Sequence, residues 1–299
     1  MENKKLGTIY ALLAYVLWGI LPLYWKLLEH IEAKEILSYR IVASFFFMIA
    51  LLIVQKNWST FLHTCRLLWR EKKRAIALIV ASLLISVNWF IYIWAVNHNH
   101  MVEASLGYYM NPLLNVLLGI VVLKERLYKW QAVSFILAAA GVLLMTIEYG
   151  KIPWVAFSLA CSFALYSLVK KVISIDATIG LTVETMLVTP FALIFIIHSF
   201  GQLNVASFSF ATMLLLVGAG PATALPLLYF AKGAQHISLT FLGFLQYISP
   251  TLSLLLGVFL FHEPFTNAHM YAFGCIWTAL LLFSLSSTWE KRREKSLNA

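Results

Sequence analysis

Ten stretches of mostly apolar residues, each about as long as a bilayer-spanning helix of about 20 residues, fill this sequence almost end to end. They run over Leu6–Trp25, Ile36–Val54, Ala75–Val96, Val102–Leu123 and Trp130–Ile147, then Pro153–Val169, Leu181–Phe200, Phe210–Ala231, Leu239–Phe261 and Ala268–Thr288. With 61% hydrophobic and only 12% charged residues among 299, a soluble fold would lack the polar surface to cover its core, since soluble chains carry about 25% charged residues. The expected class is an all-α integral membrane protein. The first run follows Lys4 and Lys5 as a signal peptide would, but it ends in Tyr24, Trp25 and Lys26, with no small-residue cleavage site, so it counts as a span.

The net charge of +9 reads as topology. With the N-terminus inside, only Lys26, Lys34, Arg40 and Lys151 fall toward the outer face, leaving 18 of the 22 Lys and Arg residues on the inner side, Lys170 and Lys171 among them. The positive-inside rule then puts both termini in the cytoplasm of a multi-pass protein of the bacterial cytoplasmic (inner) membrane. Between the second and third spans, Trp58, Phe61, Leu62, Cys65, Leu68 and Trp69 recur at helical spacing before a basic run. Residues 58–74 are therefore expected to lie as an amphipathic helix in the lipid interface, not to bind nucleic acid. Cys65, Cys161 and Cys275 are odd in number and lack a CxxC, so neither a disulfide framework nor a zinc site is expected.

A shift of 138 residues aligns Tyr109-Met110-Asn111-Pro112 with Tyr247-Ile248-Ser249-Pro250, Gly119 with Gly257, Glu125 with Glu263 and His98 with His236. The chain thus reads as two five-span repeats, 1–147 and 148–288, with a basic cytoplasmic tail over 289–299. Five is odd, so the second repeat enters the membrane upside down. Inverted repeats around a midplane site are the architecture of many secondary transporters.

The blocks Glu103-Ala-Ser-Leu-Gly107-Tyr-Tyr-Met-Asn111-Pro112-Leu-Leu-Asn115 and Leu245-Gln246-Tyr247-Ile248-Ser249-Pro250 resemble EamA-type members of the drug/metabolite transporter superfamily. Trp18-Gly19, Ser38-Tyr39-Arg40-Ile41-Val42 and Asn88-Trp89-Phe90-Ile91-Tyr92 resemble its RarD group, named for chloramphenicol sensitivity. The resemblance spans residues 6–288. It implies ten helices in two inverted halves, with the first four of each half around a central cavity and the fifth and tenth peripheral. It also implies alternating access and movement of small metabolites, often outward. The chain departs from the family's pattern before each repeat glutamate, where Lys124 and His262 replace an expected small residue.

Candidate residues follow from polarity within the spans. Pro22, Pro112 and Pro250 each free a backbone carbonyl and are candidate hinges for gating. Glu103, Gly107, Asn111 and Asn115 recur every four residues and share a face. Asn111 and Gln246 are assigned to cavity lining, Gly119 and Gly257 to helix packing. Trp18, Asn88, Trp89, Tyr92, Tyr108, Tyr166 and Tyr247 complete the candidate cavity with Arg40 and Glu103. Arg40 and Glu103 open their spans at a similar height, so an ion pair between them is expected, forming an outer gate or an anion-attracting vestibule. Lys26 is expected to snorkel to the headgroups.

Glu184 lies near the cytoplasmic end of its span, where solvent contact is expected. With Glu103 it is the candidate for proton coupling. Glu125 and Glu263 are expected to stabilise a turn or the N-terminus of the next helix.

The reading is a secondary transporter for small organic metabolites, amino-acid-like or drug-like, exporting or exchanging them. It is not expected to be an enzyme, and no cofactor or metal is implied: no Walker A motif or HExxH occurs. Its partners are the substrate, membrane lipids and a second copy meeting it through the fifth and tenth spans. A non-transporting scaffold and a lipid-modifying enzyme are the alternatives.

Overall fold

In hydrocarbon every backbone N–H and C=O must be satisfied internally, so apolar runs of this length become helices. The computed structural model describes residues 2–98, 100–173, 175–199, 208–261 and 267–297, and within them the regular structure is helical. In chain order the helices are α1 (Glu2–Lys26), α2 (Ala33–Val54), α3 (Trp58–Arg70), α4 (Lys72–Asn97), α5 (Met101–Val121) and α6 (Lys129–Tyr149). The second half holds α7 (Trp154–Val172), α8 (Ala177–Ser199), α9 (Phe210–His236), α10 (Leu239–Gln246), α11 (Ile248–Phe259) and α12 (Asn267–Leu297). Among the described residues, ten spans are long and apolar enough to cross a membrane: every helix except α3, with α10 and α11 together making one span.

Local chemistry sets the ends. Gly150 takes a left-handed φ of 72° and stops α6. Ser209 and Ser238 cap α9 and α10 by accepting from the amides of Thr212 and Phe241 at 3.1 and 3.2 Å. Asp176 caps α8 through the amides of Thr178 and Ile179. The expected interfacial segment divides at Glu71, so residues 72–74 begin α4 instead. Phe61 of α3 is buried among Leu52, Leu78 and Ile179, while Trp69, Arg66 and Arg70 remain exposed.

The outward faces are apolar: Ile9, Leu13, Val16 and Ile20 form an exposed stripe along α1, as a lipid-facing helix requires. Small residues bring the helices together. Gly220 of α9 lies so close to Ala43 of α2 that a Cβ there would come within 2.5 Å of the Ala43 carbonyl carbon. The largest core cluster draws on α1, α2, α4, α7, α8, α9 and α10.

α1 packs on α9 and α11, and α7 packs on α4 and α5; α2 packs on α8 and α9, and α4 on α8. α5 meets α10, and α6 meets α12 along the edge of the bundle. Exchanging each span with its counterpart five spans on leaves this set of neighbours unchanged. Glu263 and His262 lie outside the described residues.

Candidate substrate cavity

The candidate residues separate into three groups. The first surrounds Arg40, which α2 projects between three other helices. Its guanidinium carbon stands 5.7 Å from the centroid of Trp25 on α1 and 4.9 Å from that of Trp89 on α4. Tyr92 and Tyr108 lie within electrostatic reach of it and meet each other edge to face at 6.0 Å. Trp25 was not among the expected site residues, although its position beside Lys26 suited an interfacial aromatic.

Behind Trp89 is a small space of about 10 Å³, bounded also by Ile41, Ser44, Tyr166, Glu184 and Thr223. That is room for about one water, while Tyr108 on the Arg40 side remains exposed and Arg40, Trp89 and Tyr92 are half-buried. Trp18 packs on Phe163 and Phe230 at 5.7 and 5.6 Å between centroids. Tyr166 stacks on Phe230 as well.

The second group corrects the expectation for Glu184. It is not solvated: its side chain is 2% exposed and pairs with Lys170, 1% exposed, at 2.7 Å. The Tyr166 hydroxyl donates to the other carboxylate oxygen at 3.1 Å. Lys170, counted above with the cytoplasmic positive charges, therefore turns inward, while Lys171 reaches the carbonyl of Ile237 at the end of α9. Each buried charge needs the other, since either alone would be costly in this setting. The signal for Lys170 was present: Ser162, Tyr166 and Lys170 recur every four residues, and all three are buried on α7.

The third group is the interface of α5 with α7 and α10. Asn115 donates to Asn111 at 3.1 Å and to Gln246 at 2.6 Å, and Asn111 donates to the carbonyl of Ala160 at 3.2 Å. Asn111 and Gln246 are buried in this network and do not face open space, in contrast to the lining role expected of them. Close packing explains it, because Gly243 brings α10 so near that a Cβ would come within 2.8 Å of the Pro112 carbonyl oxygen. Asn88 similarly ties α4 to α7, donating to the Leu159 carbonyl and the Ser162 hydroxyl at 2.9 Å each. Tyr247 is buried beside Tyr109 and Phe273.

Of the prolines, Pro22 is half-buried in α1, and Pro112 lies buried within the unbroken α5. Pro250 is buried in α11, and its carbonyl accepts from the Tyr109 hydroxyl at 3.1 Å. The ninth span breaks just before it, with Tyr247 ending α10 and preceding α11.

The expected Arg40–Glu103 pair does not form. Glu103 turns to the other side of α5, where His100 at 2.8 Å, the Tyr149 hydroxyl at 2.5 Å and the amide of Val155 at 3.0 Å surround its carboxylate. Lys26 pairs at the surface with Glu29. Glu125 accepts from the amides of Leu239 and Thr240; it stabilises a helix N-terminus as expected, but that of α10, not of the helix that follows it.

Residues 5–147 match the model of the EamA-like transporter family. The chain is 49% identical to "Uncharacterized transporter YojE" of Bacillus subtilis (strain 168), over 99% of its own length and 98% of that protein. It is 41% identical to "Protein RarD" of Escherichia coli (strain K12), over 98% of each chain. A solved structure described as "Crystal structure of protein" superposes with a TM-score of 0.71 at 19% identity, covering 93% of this chain and 96% of the other, which is a likeness of fold.

Proposed function

The chain belongs to the EamA-like transporter family, and on that premise we propose that it is a secondary transporter that exports or exchanges small organic metabolites by alternating access. It works in a bacterial cytoplasmic membrane with both termini inside, as the charge asymmetry favours. Residues 1–147 and 148–288 act as inverted halves, followed by the basic tail.

The observation that carries this reading is the meeting of the two repeat-related proline segments. Pro112 of α5 faces Gly243 of α10, and Tyr109 holds the carbonyl of its counterpart's Pro250. A neighbour pattern that survives exchange of the halves adds support. Rocking one half against the other would widen the small space behind Trp89 toward either side in turn. Arg40, Trp18, Trp89, Tyr92, Tyr108 and Tyr166 are the side chains that cargo meets, and Pro22, Pro112 and Pro250 let the gating helices bend.

Without a Walker A motif in the sequence the chain is no self-contained ATP-driven pump, which leaves a gradient or facilitated diffusion; if a proton gradient drives it, Glu184 with Lys170 is the group through which the proton would act. The α6–α12 edge is the face offered to a second copy.

The test is untargeted mass spectrometry of metabolites inside and outside cells that lack the protein, overproduce it, or overproduce Trp89→Ala. A compound enriched outside on overproduction but not with the variant supports export and names the cargo. Enrichment inside means uptake. No difference across the three strains favours a scaffold.

A further inference from the structure

The charges within the spans do not balance. Glu184 is neutralised by Lys170. Glu103 is held by His100, Tyr149 and a backbone amide. Glu35, at the start of α2, has Lys34 and Glu32 as its charged neighbours. Among the described residues no carboxylate stands within ion-pair distance of Arg40, and its buried Nε–H has no acceptor. Trp25 and Trp89 stabilise the positive charge through their ring faces, but a ring face does not replace the acceptors that a five-donor guanidinium seeks.

We infer that Arg40 is the anchor for the carboxylate of a small organic monoanion, the class of cargo this transporter carries. The inference rests on the transport reading above and narrows it. The planar fork of a guanidinium matches a carboxylate with two parallel hydrogen bonds, and the anion supplies the counter-charge that the protein withholds. A zwitterionic amino acid would bring an ammonium for which, among the described residues lining this region, no free carboxylate stands, because Lys170 already occupies Glu184. A neutral molecule would leave the guanidinium uncompensated.

The side chains around Arg40 argue for a flat apolar body behind the carboxylate: Trp89, Tyr92 and Tyr108 are aromatic, and Trp89 also bounds the small space lined by Tyr166. Thr223, whose buried hydroxyl has no partner, lines that space too and offers one polar contact.

The probe set is phenylacetate, its neutral isostere phenylacetamide, and L-phenylalanine, titrated against the detergent-purified full-length protein while thermal unfolding is followed. A ligand that binds the folded state raises Tm with concentration. Phenylacetate is expected to give a saturable rise, and the amide and the amino acid to need at least about ten times more ligand for the same shift. Arg40→Gln removes the phenylacetate effect, and Arg40→Lys, which keeps the charge but loses the fork, retains part of it.

Equal binding of amide and carboxylate, binding of phenylalanine as tight as phenylacetate, no shift with phenylacetate, or an undiminished shift in Arg40→Gln would each overturn the assignment. The comparison of three ligands on the unmodified protein stands even if the Arg40→Gln variant fails to fold. Such a failure is separable from failure of the transport reading, which the strain comparison measures without assuming any cargo.

Discussion

Glu125 caps Thr240: its Oε2 accepts from the Thr240 amide at 2.8 Å while Oε1 accepts from the Leu239 amide at 2.7 Å. One side chain thus satisfies two of the unpaired donors at the start of α10 from more than a hundred residues away in the chain, and its negative charge sits at the positive end of that helix. Gly119 makes the approach feasible, because a Cβ there would come within 2.8 Å of both the Glu125 carboxylate and the Thr240 hydroxyl.

Glu125→Gln keeps the size but replaces one acceptor by a donor facing an amide. A loss of about 1–2 kcal/mol is expected, seen as a lower Tm of the purified protein. Gly119→Ala should cost a similar amount by displacing the same carboxylate, and the two losses should not add in the double variant.

Lys124 adopts a φ of 56°, in the left-handed region. That is the position where family resemblance led us to expect a small residue, and the backbone supplies the reason. Lys124→Gly should therefore stabilise the protein, by up to about 1 kcal/mol after the entropy glycine loses on folding. A Tm equal to or below that of the parent would contradict this account.

Lys170 and Glu184 are coupled through burial. Lys170→Met strands the carboxylate and should cost about 3–5 kcal/mol, and Glu184→Leu should cost a comparable amount by stranding the ammonium. The double variant, with neither charge, should recover much of the loss. A double-mutant cycle on denaturant unfolding reads the coupling directly; a cytoplasmic, hydrated Lys170 would give almost none.

Asn115 donates to both Asn111 and Gln246 in the same interface. Asn115→Leu leaves two buried amide oxygens without donors, at about 1–3 kcal/mol each. Gly243→Ala should also destabilise, by pushing α10 away from the Pro112 carbonyl. Thermal unfolding compares the two, and Asn115→Leu is expected to lower Tm further than the neighbouring exposed Leu117→Ala.

The ten spans were legible because hydropathy along a chain reports directly on what a helix must be surrounded by. α3 was legible for the same reason, its apolar positions recurring on one face. Partner choice was not legible. Glu103 and Arg40 were expected at a similar height from their places in their spans, but the rotation of each helix decides whether they meet, and nothing in a linear pattern records that angle. Glu103 instead faces Tyr149 and Val155, which belong to helices its spacing could not nominate. Lys170 shows the converse: its end-of-span position suggested the cytoplasm, while its four-residue register with Tyr166 already marked the inner face. The polar stripe on α5 pointed correctly to a shared face for Asn111 and Asn115, yet spacing alone did not tell a tight interface from an open cavity.

The break at Tyr247 has a mechanical meaning. Its repeat-related residue, Tyr109, sits in a helix that runs on without interruption past Pro112. One sequence pattern therefore exists here in two forms lying side by side: a helix interrupted at a single residue that keeps helical dihedrals (φ −60°, ψ −16°), and a helix with no interruption. If the halves trade conformations during a transport cycle, that interruption passes from one segment to the other, and the molecule resets by exchanging forms already present in a single state.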